Sequence, residues 1–436
     1  MTLVDLARPA PATRATDTLP VAIIGAGPIG LAAAARLHAR GIPFTVLEAG
    51  PGVGAGIRSW GHVRFFSSWS LLIDAASRAL LDASGWTAPD PDRLPTGDEF
   101  LDGYLEPLAA TDAIAPHVRT GVEVVAVSRE GMDRTRTAGR AQAAFVLRTR
   151  DASGAVEELS ARAVIDASGT VRTPNRLGSN GLDPLGADEV ADRVTPPMPD
   201  VLGRERARFA GRRTLVVGSG HSAAHTLLHL LELARSAPGT SVAWAIRGER
   251  AARLTASDDD GLPARATIGA RVAEAVAAGS IELLDRFEIV RLGASDGSVR
   301  VTGSRGGELE SHEFDLVVNA TGFRPDLEML REIRLDLDEV VEAPRRLAPM
   351  IDPNVHSCGT VEPHGVAELE HPEPGFFLAG MKSYGRAPTF LAATGYEQVR
   401  SITAWLAGDA AGAASVDLVL PATGACSTDG TAGGCC

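Results

Sequence analysis

The sequence predicts an α/β protein with two domains, and three observations support that class. The chain has 436 residues, which is too long for one ordinary hydrophobic core. Hydrophobic residues make up 44% of it and charged residues 22%, a composition typical of globular proteins. A glycine-rich turn between an apolar strand and a helix occurs twice, at residues 25–30 and 218–223. Two separate βαβ units are therefore expected.

Charge and hydropathy exclude several kinds of partner. The formal charge of −13 argues against nucleic acid, because phosphate contacts require a basic face. No run of 18 apolar residues is present, so no transmembrane helix is predicted. Residues 1–20 include Asp5 and lack the apolar stretch of a secretory signal. We expect a cytoplasmic protein with a small-molecule substrate and no membrane partner, and the sequence leaves a homodimer open.

The first βαβ unit has the features of a dinucleotide-binding site. Residues 21–24 form a buried strand, and an alanine-rich helix leads on to a second strand that ends at Glu48. In the turn, Gly25 permits the sharp bend, Gly27 lets the backbone approach a pyrophosphate, and Gly30 lets helix and strand pack closely. The helix N-terminus attracts the phosphates, and the Glu48 carboxylate can accept hydrogen bonds from a ribose diol.

The second unit repeats this pattern with the opposite charge at its end. Gly218 and Gly220 occupy the first two glycine positions, and Ser222 lies in the same turn. The following strand ends at Arg247, where the first unit has Glu48. A guanidinium there would bind the 2′-phosphate of NADPH, whereas a carboxylate would repel it. The first site therefore suits FAD and the second NADPH; a solvated run of arginines is the alternative interpretation of the second.

The remaining elements complete two units of this kind. Further strands are predicted over residues 121–128, 144–150 and 156–160, as an antiparallel meander, and over 163–165, 315–319 and 376–378. A closing helix is predicted over residues 396–407. Residues 173–199, rich in Pro, Gly and Asn, are expected to form a connector, and residues 408–436 a mobile tail.

The order of these motifs resembles that of the flavoproteins with two dinucleotide-binding domains, and it is most similar to their flavin-containing monooxygenase branch. The resemblance covers roughly residues 20–405. It implies two Rossmann-like domains, with the NADPH domain inserted into the FAD domain, a β-meander and a flexible C-terminal tail. The expected division is a first FAD-binding part over 18–175, an NADPH-binding domain over 176–318, a second FAD-binding part over 319–408, and a cysteine-containing tail over 409–436.

The same resemblance implies cofactor-binding positions outside the two glycine turns. The segments that match are the stretch near the flavin ring, the strand that meets the adenine, the two segments that return the chain between the domains, and the closing turn with its helix. The stretch near the flavin ring contains Arg58 and Trp60, and the strand that meets the adenine contains Val124. The two returning segments contain Gly169 and Thr321. The closing turn contains Gly380, and its helix contains Gln398.

Lys382 and Arg386 are candidate catalytic residues. A reduced flavin carries negative charge at its pyrimidine edge, so a nearby cation stabilises it. Both residues precede the helix whose N-terminus points at that edge in the resembled fold. They are also candidates for binding an anionic substrate. Two surface residues that cap a loop are the alternative interpretation.

Four cysteines form a second group of candidates, namely Cys358, Cys426, Cys435 and Cys436. None stands in a Cys-x-x-Cys pair, so a thioredoxin-type dithiol is not expected. Thiolates are soft ligands that select soft metal or metalloid ions. The tail resembles those of mercuric reductase and of flavoproteins associated with arsenic resistance. This implies that these cysteines supply three thiolates to trivalent arsenic, with Cys358 at the catalytic site; cysteines that bind nothing are the alternative.

Three functions are compatible with these motifs. The first is an NADPH-dependent flavin monooxygenase that uses molecular oxygen to oxidise a soft small substrate, with arsenite as a candidate. The second is a reductase of a metal, metalloid or disulfide substrate that works without oxygen. The Phe-x-Gly-x-x-x-His signature of the monooxygenase branch is missing from residues 168–199, which favours the reductase, whereas the missing redox disulfide opposes it. The third is a non-catalytic metalloid-binding protein.

Overall fold

The computed structural model describes residues 15–249, 263–353, 362–388 and 390–418. Its strands are β1 (Val21–Ile24), β2 (Phe44–Glu48), β3 (Val118–Thr120), β4 (Val122–Arg129), β5 (Phe145–Asp151), β6 (Val156–Ala161), β7 (Ala163–Asp166), β8 (Val194–Thr195), β9 (Arg213–Val217), β10 (Ser241–Ala245), β11 (Glu282–Leu284), β12 (Glu288–Ser295), β13 (Ser298–Arg305), β14 (Glu308–Phe314), β15 (Leu316–Asn319) and β16 (Phe376–Leu378). Its α-helices are α1 (Pro28–Ala39), α2 (Ala55–Arg58), α3 (Trp69–Leu72), α4 (Ala75–Ala83), α5 (Gly97–Phe100), α6 (Glu106–Ala109), α7 (Arg206–Phe209), α8 (His221–Ser236), α9 (Pro263–Ala277), α10 (Ala348–Ile351), α11 (Val366–Leu369), α12 (Ala392–Leu406) and α13 (Ala410–Ala414). Of the helices in the described ranges, none has both the length and the apolarity to cross a bilayer.

The first sheet contains five parallel strands in the order β16-β7-β1-β2-β3. Its central strand β1 is buried along its whole length, because helices cover one face and the β4-β5-β6 meander covers the other. The alanines of α1 are small enough for α12 to pack closely against that helix. The sheet thus combines strands from residues 21–166 with β16, which lies more than 200 residues later.

The second sheet has the same three layers. Its five parallel strands run in the order β11-β10-β9-β15-β8. Helices α8 and α9 pack on one face, and the antiparallel meander β12-β13-β14 covers the other. This repetition confirms the fold class predicted from the sequence, two α/β units each built on a parallel sheet, together with the first antiparallel meander.

The second meander was not predicted from the sequence. Its first strand, β12, should alternate between apolar and polar residues, but a shift in register between Ile289 and Arg291 interrupts that pattern. Strand β14 contributes few large apolar side chains, and its Leu309 is exposed. Neither strand therefore has a clear period of two in its sequence.

The prediction of a connector over residues 173–199 is wrong in part. This segment contains β8, which pairs in parallel with β15 at the edge of the second sheet. Leu177 and Val190 from the same segment are buried in the core between that sheet and its meander. A strand of two residues is too short to produce a recognisable sequence pattern, so the sequence predicts only the turns around it.

The prediction of a mobile tail from residue 408 is also wrong for its described part, residues 408–418. Helix α13 packs against α12, and the Arg400 guanidinium holds it by donating to the Gly412 carbonyl oxygen at 2.6 Å and to Ser415 Oγ at 3.2 Å. The buried carboxylate of Glu397 neutralises Arg400 at 2.7 Å. The tail cysteines lie beyond residue 418, outside the described residues.

Candidate active site

The first glycine turn lies at the carboxyl edge of the first sheet, between β1 and α1. Gly25 has φ +98°, and a Cβ there would overlap the Ala167 backbone. A Cβ on Gly30 would overlap the carbonyl oxygen of Gly25. A Cβ on Gly27, by contrast, would meet no atom within 4 Å. Two glycines therefore serve packing and one borders open space, which is the arrangement that a pyrophosphate requires.

Glu48 ends β2 at the same edge of the sheet. Its carboxylate accepts hydrogen bonds from the Ala26 N–H at 2.8 Å and from the Gly50 N–H at 2.7 Å. These bonds fix the carboxylate beside the glycine turn. A carboxylate has about four lone-pair sites, so it can accept from a ribose hydroxyl as well. The turn and Glu48 together fit an adenine dinucleotide such as FAD.

The second glycine turn repeats this geometry. Gly218 has φ +131°, and a Cβ there would overlap the Ala320 carbonyl oxygen, whereas a Cβ on Gly220 would meet nothing within 4 Å. Trp244 Nε1 donates to the Gly218 carbonyl oxygen at 2.7 Å and so holds the turn against β10. Ser222 lies in the first turn of α8, and free backbone N–H groups at a helix N-terminus can bind a phosphate.

Arg247 follows β10 and is exposed. Its guanidinium donates to the Ser179 carbonyl oxygen at 3.2 Å, which uses one of its five N–H donors. The side chain thus stands at the carboxyl edge of the second sheet, as predicted, with Glu48 at the corresponding position of the first. Its role in binding a 2′-phosphate remains a prediction.

The two segments that return the chain between the domains have similar turns. Gly169 has φ +70°, and a Cβ there would meet no atom within 4 Å. Thr321 Oγ1 donates to Asn319 Oδ1 at 2.7 Å, and Asn175 Nδ2 donates to the Thr321 carbonyl oxygen at 3.1 Å. Two hydrogen bonds therefore hold Thr321 in place, whereas Gly169 borders open space. The contribution of both residues to cofactor binding remains a prediction.

Gly380 and Gln398 lie together beside the first glycine turn. Gly380 has φ +68°, and a Cβ there would lie 3.1 Å from the Ile29 side chain in α1. The Gly380 N–H donates to Gln398 Oε1 at 2.8 Å. The structure thus brings the closing turn, α12 and the start of α1 to one place.

Lys382 and Arg386 have different surroundings from those predicted. Lys382 is fully buried, with Nζ at 2.6 Å from Asp166 Oδ2 and at 3.1 Å from Ser168 Oγ. Its charge is already neutralised inside the domain. Arg386 is 41% exposed and lies 4.0 Å from a carboxylate oxygen of Glu342. The alternative interpretation, a surface residue at a loop, describes Arg386 better than a cation directed at the flavin.

The other predicted FAD-binding residues lie at the end of α2, in the turn that follows it, and in β4. Arg58 forms ion pairs with three carboxylates, at 2.9 Å from Asp98, 2.9 Å from Asp102 and 2.8 Å from Glu106, and the hydrogen bond to Asp102 is the main cause of its raised pKa. Trp60 packs edge-on against Phe65, with ring centroids 5.2 Å apart. Val124 is buried in β4. The positions predicted for Arg58 and Trp60 near the flavin ring, and for Val124 near the adenine, remain predictions.

A row of histidines on α8 was missed in the sequence. His221, His225 and His229 are four residues apart, so their side chains share one face of the helix. The His225 and His229 rings have centroids 6.1 Å apart, and His62 in the segment after α2 lies 6.2 Å from His229. Burial, and next to it the neighbouring His229, lowers the pKa of His225 to about 4. The four-residue spacing was the signal that could have revealed the row.

The candidate thiol ligands cannot be placed in the site. Cys358, Cys426, Cys435 and Cys436 all lie outside the described residues. Within the described ranges, no three side chains of His, Cys, Asp or Glu are grouped so as to hold a metal ion. The metalloid site therefore stays a prediction.

The two glycine turns, each at the edge of a parallel sheet backed by a meander, define a flavoprotein with two dinucleotide-binding domains. The chain belongs to the pyridine nucleotide-disulphide oxidoreductase family, whose model matches residues 22–357. It is thus a flavin-dependent oxidoreductase with FAD and NADPH as its cofactors. The assignment of each cofactor to one of the two glycine turns remains a prediction.

About half of the chain is similar to curated monooxygenases. The chain is 30% identical to indole-3-pyruvate monooxygenase YUCCA1 of Oryza sativa subsp. japonica over 227 residues, which cover 51% of this chain and 48% of the rice protein. It is 31% identical to YUCCA8 of Oryza sativa subsp. indica over 224 residues, 48% of this chain and 45% of that protein. The chain therefore spans about half the length of the curated relatives it matches. These relatives confirm the predicted resemblance to the flavin monooxygenase branch.

Solved structures show the same fold at lower identity. The bacillithiol disulfide reductase Bdr from Bacillus cereus is 21% identical with a TM-score of 0.66, over 89% of this chain and 99% of that one. The cadaverine monooxygenase DfoA from Erwinia amylovora is 15% identical with a TM-score of 0.60, over 93% of this chain and 98% of that one. The fold therefore occurs in both a reductase and a monooxygenase.

Proposed function

We propose that this chain is an NADPH-dependent flavin monooxygenase that binds FAD through residues 18–175 and 319–408 and NADPH through residues 176–318. The observation that carries the proposal is the charge contrast between Glu48 and Arg247, each beside a glycine turn that borders open space. The similarity to the rice monooxygenases supports oxygen as the electron acceptor. Bound FAD would supply the two-electron redox chemistry that links NADPH to the electron acceptor.

The residues of the first domain bind and orient rather than exchange protons. Gly27 leaves room for the pyrophosphate, and Glu48 accepts from the ribose hydroxyls. Gly380, held by Gln398, forms the wall on the side of α12. The buried pair of Lys382 with a carboxylate fixes the same wall without placing a net charge beside the cofactor.

The residues of the second domain select the reductant. The open position at Gly220 and the N–H groups near Ser222 receive the pyrophosphate of NADPH. Arg247 binds the 2′-phosphate through paired N–H donors, a geometry that guanidinium and phosphate favour. NADH lacks this phosphate, so the arginine discriminates between the two nucleotides.

The experiment is a measurement of oxygen incorporation. Purified protein, FAD and NADPH are incubated with ¹⁸O₂ and a panel of soft nitrogen, sulfur and metalloid substrates, and products are examined by mass spectrometry. A monooxygenase transfers one labelled atom to its product and consumes NADPH and oxygen in equal amounts. Product without the label, formed equally fast under argon, would refute the proposal.

We further propose a soft small substrate, with trivalent arsenic as the metalloid candidate. Cys358 and the tail cysteines Cys426, Cys435 and Cys436 supply enough thiolates for such an ion, which soft ligands select. A chain that ends at Leu418 tests this, because it lacks the tail cysteines but keeps α13 in place. It should lose arsenite-dependent NADPH oxidation and keep the slow reduction of FAD. Unchanged arsenite turnover would exclude a role for the three tail cysteines.

A reductase that works without oxygen is the second candidate. The missing Phe-x-Gly-x-x-x-His signature favours it, since that signature is expected in the monooxygenase branch. The same argon experiment distinguishes the two candidates: a reductase oxidises NADPH with a disulfide or metal acceptor at the same rate in the absence of oxygen.

A further inference from the structure

The hydrogen bonds that hold the turn Gly380–Tyr384 extend beyond the residues predicted from the sequence. The amide of Gln398 accepts from the Gly380 N–H at 2.8 Å and donates to Ser383 Oγ at 2.9 Å. The same amide nitrogen donates to His364 Nε2 at 2.9 Å. Gln398 and Ser383 are fully buried, and His364 is 2% exposed. Water is therefore excluded from this network.

These contacts fix the position of the proton on His364. An amide nitrogen only donates, so His364 Nε2 must accept and carries no proton. The ring proton then lies on Nδ1, which donates to the Glu362 carbonyl oxygen at 3.0 Å. Burial lowers the pKa of His364, because the charged ring would lose its hydration. Near neutral pH the histidine is thus a neutral acceptor.

We propose that neutral His364 is a positioning residue for the flavin, acting through Gln398 on the turn Gly380–Tyr384. This inference rests on the proposed function, which places that turn beside the cofactor. A proton on His364 Nε2 would face the N–H groups of the Gln398 amide, so the amide would have to rotate. Its NH₂ group would then face the Gly380 N–H, and the bond that holds Gly380 would be lost.

The groups around His364 determine the pH at which its ring becomes protonated. Two carboxylates, Glu368 in α11 and Glu397 in α12, favour the proton, and the ring of Tyr384 packs 5.7 Å away. Burial outweighs the carboxylates, since the pKa of the ring remains lowered. We therefore expect FAD affinity to be constant around neutral pH and to fall only in acid.

Two substitutions distinguish the effect of losing the hydrogen-bond acceptor Nε2 from the effect of losing the volume of the ring. His364→Gln puts an amide oxygen near the place of Nε2, whereas His364→Leu fills similar volume without an acceptor. His364→Leu should raise the dissociation constant of FAD about tenfold, as expected for a buried amide left unpaired, and should shift the visible spectrum of the bound flavin. His364→Gln should stay within about twofold of the native protein. The measurement is a titration of apoprotein with FAD, followed by quenching of flavin fluorescence.

His371 provides the matched control. It is a second buried histidine, and its Nδ1 accepts from the Asp336 N–H at 3.2 Å rather than from a group in the turn Gly380–Tyr384. His371→Leu should lower the melting temperature of the apoprotein and leave FAD affinity and the flavin spectrum unchanged. If His364→Leu behaves in the same way, or if His364→Gln and His364→Leu lose the same affinity, the inference is overturned.

A third variant keeps the test decisive if His364→Leu does not fold. Gln398→Glu retains an acceptor for Gly380 but removes the donor to His364, and its carboxylate favours a protonated ring. FAD affinity should then vary with pH between about 5 and 8, which the native protein does not show. A flat profile in this variant would contradict the inference. Native apoprotein that takes up no FAD at all would instead refute the proposed function.

Discussion

Lys382 Nζ lies 2.6 Å from Asp166 Oδ2, and both side chains are completely buried. Asp166 ends β7, and Lys382 lies in the turn after β16, the strand paired with β7. The ion pair therefore joins two neighbouring strands at the edge of the first sheet where the cofactor is proposed to bind. Ser168 Oγ, at 3.1 Å from Nζ, accepts a further hydrogen bond from the ammonium.

Loss of Lys382 should destabilise the protein strongly. Lys382→Met removes the cation and leaves the Asp166 carboxylate buried without a counter-charge, which typically costs about 3–5 kcal/mol. The free energy of unfolding, measured by urea denaturation, should fall by that amount. The exposed Arg386 is the control: Arg386→Met should change it by less than about 0.5 kcal/mol, because exposed ion pairs contribute little. Equal effects of the two substitutions would contradict the importance of the buried pair.

The two open glycines should affect one cofactor each. Gly27 and Gly220 both have extended backbone angles that alanine can adopt, and a Cβ at either would meet no protein atom within 4 Å. Gly27→Ala should leave the fold intact but weaken FAD binding by about tenfold or more, because the methyl group occupies the space of the pyrophosphate. Gly220→Ala should do the same for NADPH, so each variant is the control for the other. Loss of both cofactors in either variant would refute the assignment.

The fold was predictable where a local pattern determines it. The apolar run of β1, the turn from Gly25 to Gly30 and the charge at Glu48 lie within 28 residues, so a sequence window contains the whole unit. Strand β8 was not predictable, because it is two residues long and is stabilised by pairing with β15 and by packing of Val194 against the core. Its burial depends on contacts made far along the chain.

The sequence predicts the glycines of the candidate site, but it does not predict the contacts of the buried polar side chains. Lys382 was expected to face the flavin, because the sequence does not show that Asp166 lies against it from 216 residues away. The role of Gln398 depends on His364, which is 34 residues distant and has no motif around it. Such pairs are created by packing, and the sequence alone gives no spacing that would reveal them.

Arg247→Ala should separate the two nicotinamide nucleotides. Loss of one charged contact to the 2′-phosphate costs about 1.5–3 kcal/mol, so the KM for NADPH should rise roughly tenfold to a hundredfold. The KM for NADH should change little, and steady-state NAD(P)H oxidation measures both. Arg300 in β13 pairs with Glu313 at 2.7 Å, and Arg300→Ala is the control for loss of an exposed arginine. Equal increases in the KM for NADPH and in the KM for NADH would show that Arg247 does not bind the 2′-phosphate.

The pKa of His225 should make the protein sensitive to acid. Its value is lowered from 6.5 to about 4 in the folded state, by burial first and then by His229, His221, His62 and Arg271. The unfolded chain therefore binds more protons between pH 6.5 and 4, so this stability is complete above pH 6.5 and is lost as the pH falls toward 4. The shift corresponds to about 3 kcal/mol at most.

The substitution His225→Gln tests this dependence. It removes the titrating ring, so the free energy of unfolding should fall less between pH 7.5 and pH 5 than in the native protein. Urea denaturation at the two pH values gives the difference. His38 is exposed on α1 and serves as control, because His38→Gln should leave the native pH dependence in place. If both variants showed the native pH dependence of the free energy of unfolding, the histidine row on α8 would not be the cause of that dependence.

The late position of β16 in the chain has a consequence for biosynthesis. The second sheet is complete once β15 has left the ribosome, whereas the first lacks an edge strand until residue 378 has been made. Until then β7 has an unpaired edge, and Asp166 lacks its partner until Lys382 follows. A nascent chain therefore exposes a surface to which other strands can add. We expect stalled translation products to aggregate through the first domain, and the inserted domain to be the first that resists proteolysis.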